Sequence, residues 1–209
     1  MHGEVSDFFE SLWDQILKTT WMEWLSTVSQ LVSVWYARAN NILVYPTGII
    51  GVILAAYLYL FVSAPPLYGE GILHLYYFGM SVFGWYRWVQ RRPEDQSDRF
   101  PISYLAKQEW FWGLAFVVGS YAVIFGILAF FTDSDTVVLD ALVSSSAILA
   151  MYWMAGRKIE NWWAWIFSNL VAIPLNFYKG FVLFAVMYLL FLILAVMGYH
   201  SWKRLIKVS

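Results

Sequence analysis

Residues 111–131 read FWGLAFVVGSYAVIFGILAFF, twenty-one positions without a single charge. A bilayer core about 30 Å thick takes about 20 apolar residues of helix, so this stretch is expected to cross a membrane. The rest of the chain agrees with it. Of 209 residues, 61% are hydrophobic, 21% aromatic and 13% charged, with 13 Trp, 14 Tyr and 16 Phe. A soluble domain of this size cannot hide so much apolar area, so soluble enzymes and soluble binding modules are excluded as classes. There is no Cys, which removes disulfides and thiolate metal sites, and the net charge of −1 argues against nucleic acid as a partner. The lipid bilayer is the partner that composition demands.

Outward from 111–131, six more apolar segments lie near 23–39, 42–63, 69–89, 137–156, 162–179 and 181–201. The expected fold is an all-α integral membrane protein with seven transmembrane helices. Residues 1–22 precede them, and the first 25 residues lack the unbroken apolar run of a secretory signal; they are expected to form an amphipathic helix at the membrane surface. Residues 90–136 hold the polar loop QRRPEDQSDRFP (90–101) and the helix 111–131, and 202–209 form a tail. Basic residues collect in cytoplasmic loops. With the N-terminus outside and the C-terminus in the cytoplasm, eleven of the thirteen Lys and Arg fall inside, leaving Lys18 and Lys179 outside with Glu70, Asp133 and Asp135. Six or eight spans would spoil that asymmetry.

The segments group as three, one, three. A shift of 120 places Ser26 on Ser146, Asn41 on Asn161 and Tyr45 on Trp165; a shift of 114 places Gly84 on Gly198 and Trp88 on Trp202. Residues 23–89 and 137–201 are therefore expected to be two three-helix repeats. One linking helix between them makes the second repeat enter from the same side as the first, so the repeats are parallel, and a binding site is expected near mid-membrane between them.

Polar side chains at membrane depth usually face the bundle interior or a cavity. In WWAWIFSNLVAIPLNFYKG (162–180), Trp165, Asn169 and Asn176 fall at i, i+4 and i+11, on one helix face. Pro174 between the asparagines cannot donate to the carbonyl four residues back, which loosens the helix and suggests a hinge. The asparagines suit interhelical glue or a ligand wall; two on one face with a Trp and a Pro favour the wall. Aromatic faces attract cations and amides read hydroxyls, so a neutral or cationic ring compound fits. Lys158, Glu160 and Asn161 form either a solvated turn or a gate between helices. Asn41 is a helix cap or a further amide of the site, and Gln108 a surface residue or an inward one. His74 and His200 lack an evident carboxylate partner. No zinc-protease, nucleophile-elbow or phosphate-loop motif occurs, and no cofactor or metal is implied.

NILVYPTGIIG (41–51), FGWYRW (83–88) and RKIENWWAW (157–165) resemble the PnuC family of bacterial vitamin transporters over about residues 21–207. The family's binding pattern falls on Tyr152, Gly156, Trp165, Asn169 and Asn176, with Tyr152 where the family has Trp and Trp153 beside it. The resemblance implies a SWEET-like seven-helix protomer, a homotrimer in the bacterial inner membrane, and facilitated diffusion of nicotinamide riboside, which a separate cytoplasmic kinase traps by phosphorylation. Thiamine is an alternative cargo, and a vitamin sensor that does not transport is an alternative function.

Overall fold

The computed structural model describes residues 2–64, 67–132 and 134–208. Asp133, Pro65 and Pro66, and the side chain of Lys207, lie outside the described residues. Eight helices follow one another: α1 (His2–Lys18), α2 (Trp21–Arg38), α3 (Val44–Tyr57, continued by a π turn over Leu58–Val62), α4 (Tyr68–Trp88), α5 (Lys107–Phe131), α6 (Val137–Ala155), α7 (Asn161–Tyr178) and α8 (Val182–Val208). Each apolar segment marked on the sequence is a helix.

By length and composition, Val44–Val62, Lys107–Phe131, Val137–Ala155 and Val182–Ile206 suffice to cross a membrane. The helices α2, α4 and α7 are 18, 21 and 18 residues long, which at about 1.5 Å per residue is about 27–32 Å. Their apolar content is lower because each carries polar residues on the face it turns toward its neighbours, such as Ser26 and Ser33, Ser81, or Ser168 and Asn169, all buried.

The packing closes a ring. Helix α2 touches α3, α3 touches α4, α4 touches α6, α6 touches α7, α7 touches α8, and α8 returns to α2. Helix α5 leans on α6 from outside, and of its residues only Gly113 is buried. Gly113 leaves room for the neighbouring helix: a Cβ there would stand 2.4 Å from the Trp153 ring of α6.

One end of the ring is plugged. Tyr45, Trp88, Trp162 and Trp202 are at most 1% exposed and share a cluster with Ala37, Met151, Met154 and Ile159. Two arrangements within it match. Tyr45 of α3 meets Trp88 of α4 edge-on at 5.1 Å, and Trp162 of α7 meets Trp202 of α8 edge-on at 5.4 Å, both at 86°. A Cβ on Gly84 would lie 2.4 Å from Tyr45, and one on Gly198 2.5 Å from Trp162. The turns leading into these helices match too. Asn40 and Arg157 have φ of 51° and 52°. The bonds Asn40 N–H to Ala37, Asn41 to Tyr36 and Tyr45 to Ile42 recur as Arg157 to Met154, Lys158 to Trp153 and Trp162 to Ile159.

These matches correct the register expected from the sequence. An offset of 117 residues, not 120, pairs the two turns, so Tyr45 corresponds to Trp162 and Asn41 to Lys158. Three residues nearly complete a helical turn, so a slip of three keeps the apolar pattern and is invisible to hydropathy. The local contacts of Gly84 and Gly198, and of Trp88 and Trp202, are alike at an offset of 114.

At the other end, Lys179 closes α7 and Gly180 takes a φ of +76°, a left-handed value that glycine adopts without a Cβ clash, so the chain reverses in a tight turn. Helix α1 docks there. Gln15 donates to the Gly180 carbonyl at 2.9 Å and accepts from the Leu183 amide at 2.9 Å. Phe9, Trp13 and Leu17 remain exposed along one side of α1, the pattern of a helix lying in a lipid headgroup layer.

Candidate functional site

Helix α7 turns Trp163, Phe167, Leu170, Pro174 and Phe177 outward, all exposed. The opposite face, carrying Trp165, Asn169 and Asn176, therefore points into the ring, as their spacing predicts. The Trp165 ring stands 6.4 Å from that of Tyr77 on α4, so the wall of α7 faces the wall of α4. Backbone carbonyls on this side are tied off by neighbours: Ser168 Oγ donates to Val143 at 3.0 Å and Tyr76 Oη to Ile148 at 2.9 Å. Asn169 is different. It is 4% exposed, and its carboxamide has no hydrogen-bond partner among the described residues. The Trp165 Nε1–H is buried and unpartnered as well. Asn176 keeps half of its capacity occupied, donating to the Ala172 carbonyl at 2.8 Å.

Buried polar groups are normally paired, and an unpaired one costs about 1–3 kcal/mol. An indole donor and a carboxamide left unpaired on one inward face, beside a tyrosine ring, offer what a hydroxylated ring compound would complete: two donors, an acceptor and π surface.

The facing stripe on α4 was not read from the sequence as part of the site. Glu70, His74, Tyr77 and Ser81 recur at i, i+4, i+7 and i+11, with Gly84 and Trp88 continuing the line to the plug. His74 Nδ1 lies 2.9 Å from the Glu70 carbonyl. Its ring is 5.2 Å from Tyr59 and 5.6 Å from Tyr77. The spacing was the available signal; counting Glu70 as a loop charge and His74 as a span-end residue concealed it. His200, by contrast, is exposed.

The remaining candidates are placed elsewhere. Tyr152 is 49% exposed with its ring 5.5 Å from Phe116 of α5, and Trp153 is buried against Gly113 and 5.5 Å from Trp110 of α5. Both rings address α5. Gly156 ends α6 with φ of −83° and ordinary room for a Cβ. Gln108 is exposed in the first turn of α5. Asn41 caps the α2–α3 turn, accepting from the Leu43 amide at 2.9 Å, and lines a depression with Arg91, Asp98 and Arg157 at the plugged end. Of these, Trp153 alone shares a neighbourhood with the α7 face, since Trp165 packs against the buried cluster of Leu149, Ala150, Trp153 and Ala164. Helix α7 runs unbroken through Pro174.

The turn holding Lys158, Glu160 and Asn161 is not solvated: Glu160 is 8% and Asn161 0% exposed. Both carboxylate oxygens of Glu160 accept from the Leu105 amide at 3.1 Å, Lys158 pairs with Glu109 at 2.8 Å, and Asn161 donates to the Lys158 carbonyl at 2.6 Å. Ser103 donates to the Arg157 carbonyl and accepts from Ile159 at 3.1 and 3.0 Å. Arg157 anchors the whole strap, pairing with Asp98 at 2.8 Å, donating to the Phe100 carbonyl at 3.0 Å and stacking 4.3 Å over Trp88. Burial pushes its guanidinium down to about 10. Asp98 also holds Arg91. The loop 89–106 is thereby fastened across the turn between α6 and α7, close to the plug. The role of Arg157 had no sequence signal, because its partner Asp98 lies far away in the chain. Among the described residues no cluster of His, Cys, Asp and Glu can hold a metal.

A sequence profile described as nicotinamide mononucleotide transporter matches residues 20–204. The chain belongs to the PnuC transporter family. It is 22% identical over 207 residues to the nicotinamide riboside transporter PnuC of Escherichia coli strain K12, covering 88% of this chain and 85% of that one. It is 27% identical over 124 residues to the riboflavin/roseoflavin transporter RibM of Streptomyces davaonensis, covering 59% and 58%. The fold matches the crystal structure of the vitamin B3 transporter PnuC with a TM-score of 0.72 at 24% identity, covering 99% of this chain and 93% of that one. This PnuC family member is thus a multi-pass membrane protein of a transporter family, built on the PnuC fold. Its relatives are named as transporters, in keeping with the lack of enzyme motifs.

Proposed function

We propose that this PnuC homologue is a uniporter for nicotinamide riboside, with its central site on Trp165 and Asn169 and with Asn176 beside them. The observation that carries the reading is Asn169, 4% exposed and with no protein partner for its carboxamide among the described residues, beside the buried, unpartnered indole of Trp165, whose ring faces Tyr77. Nicotinamide riboside brings a pyridinium cation for the rings and ribose hydroxyls for the amide, and a relative at 22% identity is named for that cargo.

The matching turns and the Tyr45–Trp88 and Trp162–Trp202 pairs support two parallel three-helix units, α2–α4 and α6–α8, with α5 as the link. Such units rock about a site between them. In this state the plug and the strap close the basic end, while Glu70 and Tyr59 remain accessible at the other. With the basic end in the cytoplasm, the state is open outward and the Arg157 strap is the inner gate. The presence of Lys179 and α1 at one end fits that orientation. Insertion in the bacterial inner membrane, a homotrimer and trapping by a cytoplasmic kinase complete the proposal.

In sealed liposomes, labelled nicotinamide riboside equilibrates down its own gradient with no imposed proton or sodium gradient. Strict dependence on either gradient would sink uniport, and binding without flux would make the protein a sensor. Trp165→Ala weakens binding by about 1–2 kcal/mol, the worth of a ring face on a desolvated cation, as titration calorimetry can check.

A further inference from the structure

An ionisable side chain inside a membrane protein is costly, and when it is retained it marks a ligand, ion or substrate path. Glu70, in the first turn of α4, is such a residue. It stands on the same face of α4 as His74 and Tyr77, whose rings meet Tyr59 of α3 at 5.2 Å and Trp165 of α7 at 6.4 Å. That face of α4 is turned into the ring, with Glu70 exposed at its head.

Its neighbours leave it unpaired. Lys179 is committed to Asp140, with Nζ 2.7 and 2.8 Å from the two carboxylate oxygens, and Asp140 is held further by Ser134 and Thr136. Glu70 makes no ion pair or side-chain hydrogen bond among the described residues. Below it the rings of His74 and Tyr77 step down the same face of α4, at 5.6 Å from each other, and Tyr77 reaches Trp165 at 6.4 Å. Tyr59 flanks His74 at 5.2 Å. A lone carboxylate above a descent of aromatic faces attracts one class of ligand, a cation with a flat or diffuse charge, and hands it from ring to ring.

We infer that Glu70 is a specificity-determining residue that selects cationic ring compounds over neutral ones of the same shape, the aromatic series from His74 to Trp165 being the path it feeds. This deepens the transport reading above and rests on it for the riboside as ligand. The inference concerns charge alone, so it is tested with pairs that differ in charge alone. One pair is nicotinamide riboside and its neutral dihydro form; a second is 1-methylnicotinamide and nicotinamide.

Equilibrium dialysis against the purified full-length protein in nanodiscs measures all four ligands on wild type, Glu70→Gln and Glu70→Asp. Wild type prefers the cation of each pair by about a hundredfold, Glu70 supplying about tenfold through one Coulomb contact and the Trp165 face the rest. Glu70→Gln cuts the preference about tenfold by weakening the cations while leaving the neutral partners unchanged, and Glu70→Asp retains most of it. A preference undiminished in Glu70→Gln, an equal loss for both members of a pair, or no preference in wild type overturns the inference. If neither riboside form binds but the methylated pyridinium is still preferred in a Glu70-dependent way, the substrate assignment falls and the role of Glu70 stands.

Discussion

Asn169→Ala weakens riboside binding by about tenfold to a hundredfold, the loss expected when a hydrogen-bonding partner is removed from a bound ligand, while leaving thermal stability in detergent unchanged. The combination is what discriminates. An asparagine acting as glue stabilises the fold through bonds to neighbouring helices, so its removal lowers the melting temperature. Asn169 has no such bond to lose, being 4% exposed and unpartnered. Asn176→Ala has a smaller effect, about two- to fivefold, because its amide nitrogen already serves the Ala172 carbonyl at 2.8 Å. Calorimetric titration and thermal melting of the same preparations check both. Normal binding by Asn169→Ala moves the site off this face of α7; a fall in stability with normal binding restores the glue reading.

Gly198→Val lowers the melting temperature by about 6–12 °C, corresponding to about 3 kcal/mol of overpacking. The Trp162 ring fills the space a side chain at 198 would take, with ring carbons 2.5 Å from the position of a Cβ. Trp162 is fully buried and meets Trp202 edge-on, and Trp202 donates its indole N–H to the Ala37 carbonyl at 2.9 Å, joining α8 to α2 where the ring closes. Displacing Trp162 therefore disturbs the plug and the α2–α8 seam together. Gly119→Val is the control, since a Cβ there meets nothing within 4 Å, and it shifts stability by less than about 0.5 kcal/mol. Equal effects at the two positions would show that the Trp162 pocket contributes no specific packing.

How far the sequence could be read depended on the range of each interaction. The helices were legible because a run such as 111–131 must satisfy its backbone internally and match the bilayer with its own side chains, both local requirements. Trp165, Asn169 and Asn176 were legible because helical spacing alone puts them on one face. Glu70 and His74 followed the same rule on α4 and were missed because Glu70 was grouped with the outer charges and His74 was read without a partner. Tyr152 and Trp153 were drawn into the site by resemblance; a helix presents neighbouring positions about 100° apart, and the structure turns the Tyr152 ring to Phe116 of α5 while Trp153 sits between Trp110 of α5 and the cluster against which Trp165 packs.

The repeat illustrates the same limit. The contacts of Gly84 and Gly198 are alike at the offset read from the sequence, yet the turns at Asn40 and Arg157 match at an offset three residues shorter than the one read there, because apolar periodicity is nearly unchanged by a slip of one helical turn. Backbone hydrogen bonds at Asn40 and Arg157 distinguish the two registers.

What the sequence by itself determined, then, was the membrane setting, the helices and the polar face of α7, each dictated by residues within a few turns of one another. The tertiary structure decided which faces meet. Among the described residues it left the side chains of Asn169 and Glu70 without hydrogen-bond or ion-pair partners, spent Lys179 on Asp140, and tied Arg157 to Asp98 across the basic end. Whether a polar group is satisfied or waiting for a ligand depends on atoms brought from distant parts of the chain, and no local pattern of residues contains that information.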